Sequence, residues 1–314
     1  LCFHCTRVTR RLHSFPTRRS SDLALADVCA PGTRVILVGA QNDVNMFKTL
    51  IDQGISQYFV GIPNEEELKA AVMAAFADKH QSDKSRVVAV AGIRGGVGSS
   101  VIAHNIAVGL ANIPKDDVIL FDLSIHYGTA ALNFNIQPQN TIVDALAQSS
   151  SIDEVLLTRF LEKWTENVSV LSSPGSLGTG VEISIANLEP VLNLVKQMAS
   201  YVVLDLPHIW NNWVQDVLVD ADETIIVGTP DLYNLRDSKN IIEFLSPHRG
   251  VDAPINLVLN RTGQIKKGEI KNKEFRDVLA LTPSISIPYD PDAFSAAMNN
   301  GEPLGSRSKA SSAI

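Results

Sequence analysis

Val87-Val88-Ala89-Val90-Ala91-Gly92-Ile93-Arg94-Gly95-Gly96-Val97-Gly98-Ser99-Ser100 decides how the rest of the chain is read. The apolar run Val87–Ala91 reads as a buried strand, a glycine-rich turn follows, and Val101–Leu110 carries helical spacing. Strand, glycine turn and helix form the layout of a phosphate-binding loop. Glycine lets the backbone come close to a ligand, and successive N–H groups at a helix N-terminus favour an anion. The usual pattern ends Gly-Lys-Ser/Thr. Here Ser99 stands at the lysine position, while Ser100 keeps the hydroxyl that would face a magnesium ion. The alternative is a glycine-rich turn with no ligand, and the downstream strands bear on the choice.

From Arg86 onward strands and helices alternate. Val118–Asp122, Val168–Leu171, Tyr201–Asp205, Thr224–Gly228 and Ile255–Asn260 read as strands, and Ile185–Met198 and Leu235–Leu245 as helices. This predicts an α/β fold with a doubly wound, mainly parallel sheet covered on both faces. Ligands of such sheets lie at the carboxyl ends of the strands, where Asp122, Asp205, Asn260 and the glycine loop all fall. A strand-end Asp can instead cap the next helix, and an Asn can simply make a turn. It is the convergence of these positions that argues for a nucleotide site.

The chain ahead of this region has a different character. Residues 1–23 contain Arg7, Arg10, Arg11, Arg18 and Arg19 with no acid before Asp22 and no apolar periodicity. They read as a non-native or disordered leader, either a transit peptide or, preferably, a gene-assembly scar. Cys2 and Cys5, with His4 and His13, make half a zinc site without a second pair. In residues 24–80, Arg34–Gly39 and Gln57–Val60 read as strands, and Asp43–Gln53 and Glu65–Asp78 as helices. This β-α-β-α run resembles the second half of a response-regulator receiver domain, without the phosphate-accepting aspartate. Val60 is followed by Gly61-Ile62-Pro63, so the receiver lysine is absent too. A truncated, receiver-like docking module is expected here, joined by the polar linker Lys79–Ser85 to a domain spanning 86–314.

Composition narrows the classes. The 314 residues leave room for one large or two moderate domains, and 45 % hydrophobic content suits a globular protein. A formal net charge of −7 gives no general attraction to nucleic acid or anionic lipid. No apolar run approaches the ~18 residues of a membrane span. The three cysteines all precede residue 30, which excludes a thiolate-held cluster in the main body and points to a cytoplasmic chain.

Arg94-Gly95-Gly96-Val97-Gly98 resembles the deviant phosphate-binding loop of the ParA/MinD superfamily, which begins with a signature basic residue before Gly-Gly. Leu204-Asp205-Leu206-Pro207-His208-Ile209-Trp210 resembles the TadZ/CpaE branch, the pilus-assembly and localisation ATPases. So do Phe121-Asp122 with Tyr127-Gly128-Thr129-Ala130-Ala131-Leu132, Thr229-Pro230-Asp231-Leu232, and Ile287-Pro288-Tyr289-Asp290 with Asn299-Asn300-Gly301-Glu302-Pro303-Leu304. The likeness covers residues 34–305.

The resemblance implies roles. Gly95, Gly96, Val97, Gly98, Ser99 and Ser100 would hold the phosphates of ATP. Ser100 would touch magnesium directly and Asp205 through water. Asp122 would serve beside the metal and the attacking water. Asn260, with Pro288, Tyr289 and Asp290, would lie at the base. Arg94 would reach across a homodimer that has ATP at its interface. The branch implies pilus or secretion-machinery partners, a cytoplasmic protein concentrated at a cell pole through them, no specific nucleic acid and no intrinsic membrane anchor.

Three departures weaken turnover. Ser99 removes a charge-assisted bond to phosphate worth roughly 1.5–3 kcal/mol. Arg94 is forked and bulkier than lysine. Ser124 stands where many relatives carry a second acid. The expectation is therefore a nucleotide-dependent, dimerising localisation factor for a Flp/Tad-type pilus or secretion system, with weak ATP hydrolysis or none. The alternative is an active ParA/MinD-type ATPase of DNA segregation or division-site placement.

Overall fold

The computed structural model describes residues 2–3, 34–39, 57–61, 63–64, 67–69, 71, 85–113, 116–178, 180–250, 252–304, 310 and 312–314. The chain divides into two units, Leu1–Asp83 and Lys84–Ile314. In the first, β1 (Cys2–Phe3) pairs antiparallel with β2 (Arg34–Gly39), and β2 pairs parallel with β3 (Gln57–Val60). The two longer strands fall where expected. The helix expected at Asp43–Gln53 lies outside the described residues. So does the leader 1–23 apart from Cys2 and Phe3, including Cys5, His4 and His13 of the half zinc site. Of the second expected helix, residues 67–69 and 71 are described and are helical.

The described residues of the second unit form eight strands. Four precede residue 172: β4 (Arg86–Gly92), β5 (Val118–Asp122), β6 (Glu162–Lys163) and β7 (Val168–Leu171). Four follow it: β8 (Tyr201–Leu206), β9 (Glu223–Gly228), β10 (Ile255–Thr262) and β11 (Ile285–Pro288). Their spatial order is β11-β10-β9-β4-β8-β5-β7-β6. Every pairing is parallel except the β6–β7 edge. The order reverses at β4, because β5 and β8 lie to one side of it and β9 to the other. That reversal opens a crevice at the end of β4, where the glycine loop begins.

The helices, in chain order, are α1 (Ser99–Ala111), α2 (Ala130–Asn133), α3 (Ile142–Ala147), α4 (Glu154–Phe160), α5 (Ile185–Met198), α6 (Asn212–Asp220), α7 (Leu232–Leu245), α8 (Asn272–Leu279) and α9 (Pro291–Asn300). Strand side chains alternate between two cores. Ala89, Ala91, Ile119, Phe121, Val202 and Leu204 pack on the face shared with α3, α5 and α6. Val88, Val90, Leu120 and Val203 pack on the face shared with α1, whose Ala103 and Ala107 are fully buried. By the same alternation Asp122 and Asp205 point to the α1 face. Among the described residues no helix is long and apolar enough to cross a membrane.

Two boundaries differ from expectation. Helix α7 starts at Leu232 rather than Leu235, because Asp231 Oδ1 accepts from the Asn234 N–H at 3.0 Å and caps it. Leu232 and Tyr233 are exposed and so break the apolar period on which the later start rested. Strand β10 continues past Asn260 to Thr262, but its ladder with β11 shifts register between Leu259 and Thr262. Arg261 at φ 58° supplies the bend.

Candidate functional site

The loop between β4 and α1 is shaped by its glycines. Gly98 is the N-cap of α1 at φ 91°, and Gly96 stands at φ 80°. A side chain is strained in either conformation. Having no side chain, Gly98 leaves the first-turn N–H groups of α1 without a side-chain cap, and no acid lies in that turn. The result is an open helix end of the kind whose N–H groups suit an anion.

Ser99, at the lysine position, turns back over the strand end, where a Cβ at Gly92 would come within 2.9 Å of its Oγ. Three side chains brace the loop from outside. His208 Nδ1 donates to the Gly92 carbonyl at 3.0 Å, Asn260 Nδ2 to Val97 O at 2.8 Å, and Arg261 to Gly96 O at 2.7 Å. These bonds engage three of the loop's carbonyls, and the Ile93 N–H donates to Val227 O at 2.8 Å.

Asn260 has a second bond, its Oδ1 accepting from the Arg261 N–H at 2.8 Å. The expected base contact therefore falls to whatever capacity its amide retains. It lines a cavity of about 280 Å³ together with Gly98, Val101, Arg261, Tyr289 and Phe294. Asp290 also borders this cavity, and its side chain caps α9 by accepting from the Ala293 N–H at 3.2 Å. Pro288 closes β11, and Tyr289 and Asp290 after it border the same cavity as Gly98.

The two acids meet through register. Asp122 and Asp205 are directly paired Cα partners on β5 and β8, and both are fully buried. Asp122 accepts from the N–H groups of Ser124 and Ala130 and from the Ser173 hydroxyl, each at 3.1 Å. Burial, and next the neighbouring Asp205 charge, push its carboxyl up to about 6, against the pull of the Ala130 N–H, His104 and the Ser124 N–H. Asp205 differs, since both its oxygens lack a hydrogen-bond partner among the described residues. His104 Nε2 lies 3.4 Å from its Oδ2.

Two orphaned, buried carboxylate oxygens beside a second carboxylate fit a cation. No cluster of three or more His, Cys, Asp or Glu is placed to hold a metal alone among the described residues. A hard divalent ion at Asp205 therefore needs oxygens from Ser100, water and a bound phosphate, which is how magnesium is usually held.

Arg94 points elsewhere. Its guanidinium pairs with Asp237 of α7 at 2.8 Å and lies 5.4 Å from the centre of the Tyr233 ring. In this chain it is held by its own subunit.

His104, Asn133, Ser173, Asp237 and Arg261 escaped the sequence reading, and His208 entered it only within the Leu204–Trp210 likeness, without a role. A lone histidine on an apolar helix face carries no signal. Arg261 had one, as a cation directly after a strand-end Asn.

The Asp122 shift makes a testable difference in the nucleotide-free protein. Its native carboxyl holds its proton up to about 6, whereas the unfolded chain releases it near 3.8. Native stability therefore loses ground to an Asp122→Asn variant as pH rises through that window, by at most about 3 kcal/mol, and the gap is constant above it. Urea unfolding of both proteins from pH 4 upward reads the gap directly.

Comparison with known proteins places this geometry. A family model described as an AAA domain matches residues 85–250, more than half of the chain. The septum site-determining protein MinD of Helicobacter pylori is 26 % identical over 227 residues, covering 69 % of this chain and 83 % of that protein. A ParA family ATPase from Chlorobium tepidum superposes with a TM-score of 0.64 at 22 % identity, covering 73 % and 95 % of the two chains. MinD of Pyrococcus horikoshii, solved with Mg-ADP, gives 0.58 at 20 %, covering 73 % and 92 %. These last two likenesses speak for the fold. The chain belongs to that AAA domain family, within the ParA/MinD P-loop superfamily.

Proposed function

We propose that the chain is a ParA/MinD-type ATPase that binds ATP with magnesium on the Ile93–Ser100 loop and uses the bound state to pair with a second copy of itself. The observation that carries the reading is Asp205: a fully buried carboxylate with both oxygens unpartnered, on the α1 face of the sheet. The phosphates would take the open N-terminus of α1, and the base would take the cavity beside Asn260 and Tyr289. Magnesium, when bound between phosphate, Ser100 and Asp205, would neutralise phosphate charge. Asp122 would hold the attacking water beside the metal.

As to what is positioned, the named relative is a septum site-determining protein. This supports division-site placement or segregation better than the pilus reading, which rests on the sequence likeness of Leu204–Trp210 and its companion stretches. Ser99 and Ser124 still argue for slow turnover, since phosphoryl transfer depends on positioning and charge.

Arg94 must leave Asp237 to reach a partner. The pair is partly exposed, with 43 % of the arginine and 21 % of the aspartate side chain accessible. Such pairs are worth about 0–1 kcal/mol, so a bound phosphate outcompetes Asp237. Light scattering with and without Mg-ATP, alongside phosphate release, tests the proposal. Wild type should dimerise with nucleotide and release phosphate slowly, and Arg94→Ala should stay monomeric. Brisk hydrolysis by a monomer, unchanged in Arg94→Ala, would contradict it.

A further inference from the structure

His104 lies one helical turn after Ser100 on α1, so both face the same way toward the sheet. Its neighbours on that face are apolar. Ala103 and Ala107 are fully buried, and the Phe134 ring packs 5.5 Å from the imidazole. The ring itself is 1 % exposed. A polar ring with an unsatisfied N–H is costly in such a place, where a valine or leucine would be the ordinary filling.

Two contacts explain its presence. Asn133 Nδ2 stands 2.9 Å from His104 Nδ1. An amide NH₂ can only donate, so Nδ1 accepts and the ring proton sits on Nε2. Nε2 in turn lies 3.4 Å from Asp205 Oδ2, an ion-pair distance without hydrogen-bond geometry, and neither atom has a hydrogen-bond partner among the described residues.

Asn133 ends α2, whose first N–H, from Ala130, bonds Asp122. One short helix thus governs both carboxylates, Asp122 by its backbone and Asp205 through the Asn133–His104 pair.

We infer that His104 is a positioning residue for Asp205: Asn133 fixes its tautomer, and its Nε2–H sets the carboxylate that receives a divalent cation. This rests on the nucleotide reading above. Partners of this kind orient a ligating carboxylate, and their loss typically weakens metal binding by about ten- to a hundredfold. A histidine that merely fills the core would lower stability and leave the magnesium requirement alone.

The test is calorimetric titration of the full chain with ATP, in EDTA and over a magnesium series. It compares wild type, His104→Leu, His104→Gln and Asn133→Leu. His104→Leu should need about ten- to a hundredfold more magnesium to reach full ATP affinity, with its affinity in EDTA unchanged. His104→Gln, which can place an N–H near Nε2, should stay close to wild type, and Asn133→Leu should fall between. If His104→Leu does not fold, Asn133→Leu decides, since it keeps the ring and removes what sets its tautomer. An unchanged magnesium requirement in every folded variant overturns the inference, as does an equal loss with and without magnesium. In either case wild-type binding leaves the nucleotide reading standing. A wild type whose ATP binding ignores magnesium overturns that reading and the inference with it.

Discussion

Gly128→Ala is expected to abolish Mg-ATP binding and to lower stability by about 3 kcal/mol. Gly128 closes the tight turn after β5, its N–H donating to Ser124 O. A Cβ there would overlap Ser173 Oγ and both Asp122 carboxylate oxygens. Neither neighbour can yield cheaply. Asp122 is pinned by two backbone N–H groups, and Ser173 is buried against it. The methyl group must therefore displace the carboxylate from its place beside Asp205. Thermal unfolding gives the stability loss and calorimetry the lost binding. A variant as stable as wild type with full affinity would show that Asp122 is not held as described.

Arg249→Leu is expected to cost about 3–5 kcal/mol while leaving nucleotide affinity in the folded fraction intact. The Arg249 guanidinium donates to the carbonyls of Leu218, Val219, Ala253 and Pro254. It ties the end of α6 to the turn that leads into β10. Leucine fills part of the volume but removes all four bonds; Thr224 still donates to the Leu218 and Pro254 carbonyls, whereas those of Val219 and Ala253 lose the Arg249 donor, and buried unpaired carbonyls are expensive. Because the residue touches nothing in the crevice, denaturant unfolding should move and ATP binding should not. A midpoint within experimental error of wild type would contradict this account of the α6–β10 junction.

How much could be read in advance follows from where each signal lies. Val118–Asp122 and Tyr201–Leu206 announce themselves as apolar runs that end in or near an acid, so the carboxylates could be placed at strand ends. That β8 inserts between β4 and β5, setting Asp122 opposite Asp205, is a matter of strand order, which no local pattern encodes. Gly96 and Gly98 were legible because positive φ leaves a compositional trace. Arg261, which also adopts positive φ, leaves none. Asn260 reads as a strand-end residue at the base, whereas its bond to Val97 O joins residues 163 apart in the chain and has no local signal. His104 and Asn133 stand 29 residues apart and read singly as core and turn. Arg94 was legible as the loop's cation, whereas Asp237 and Tyr233, which hold it, lie on a helix whose start was placed at Leu235.

The central claim is that the Ile93–Ser100 loop and Asp205 together make a magnesium-nucleotide site. Calorimetric titration of the full chain with ATP, with magnesium present and then chelated, tests it most directly. The account predicts saturable binding below millimolar nucleotide that weakens when the metal is removed. Absence of binding at millimolar ATP in the presence of magnesium would contradict it and reduce the glycine loop to a structural turn.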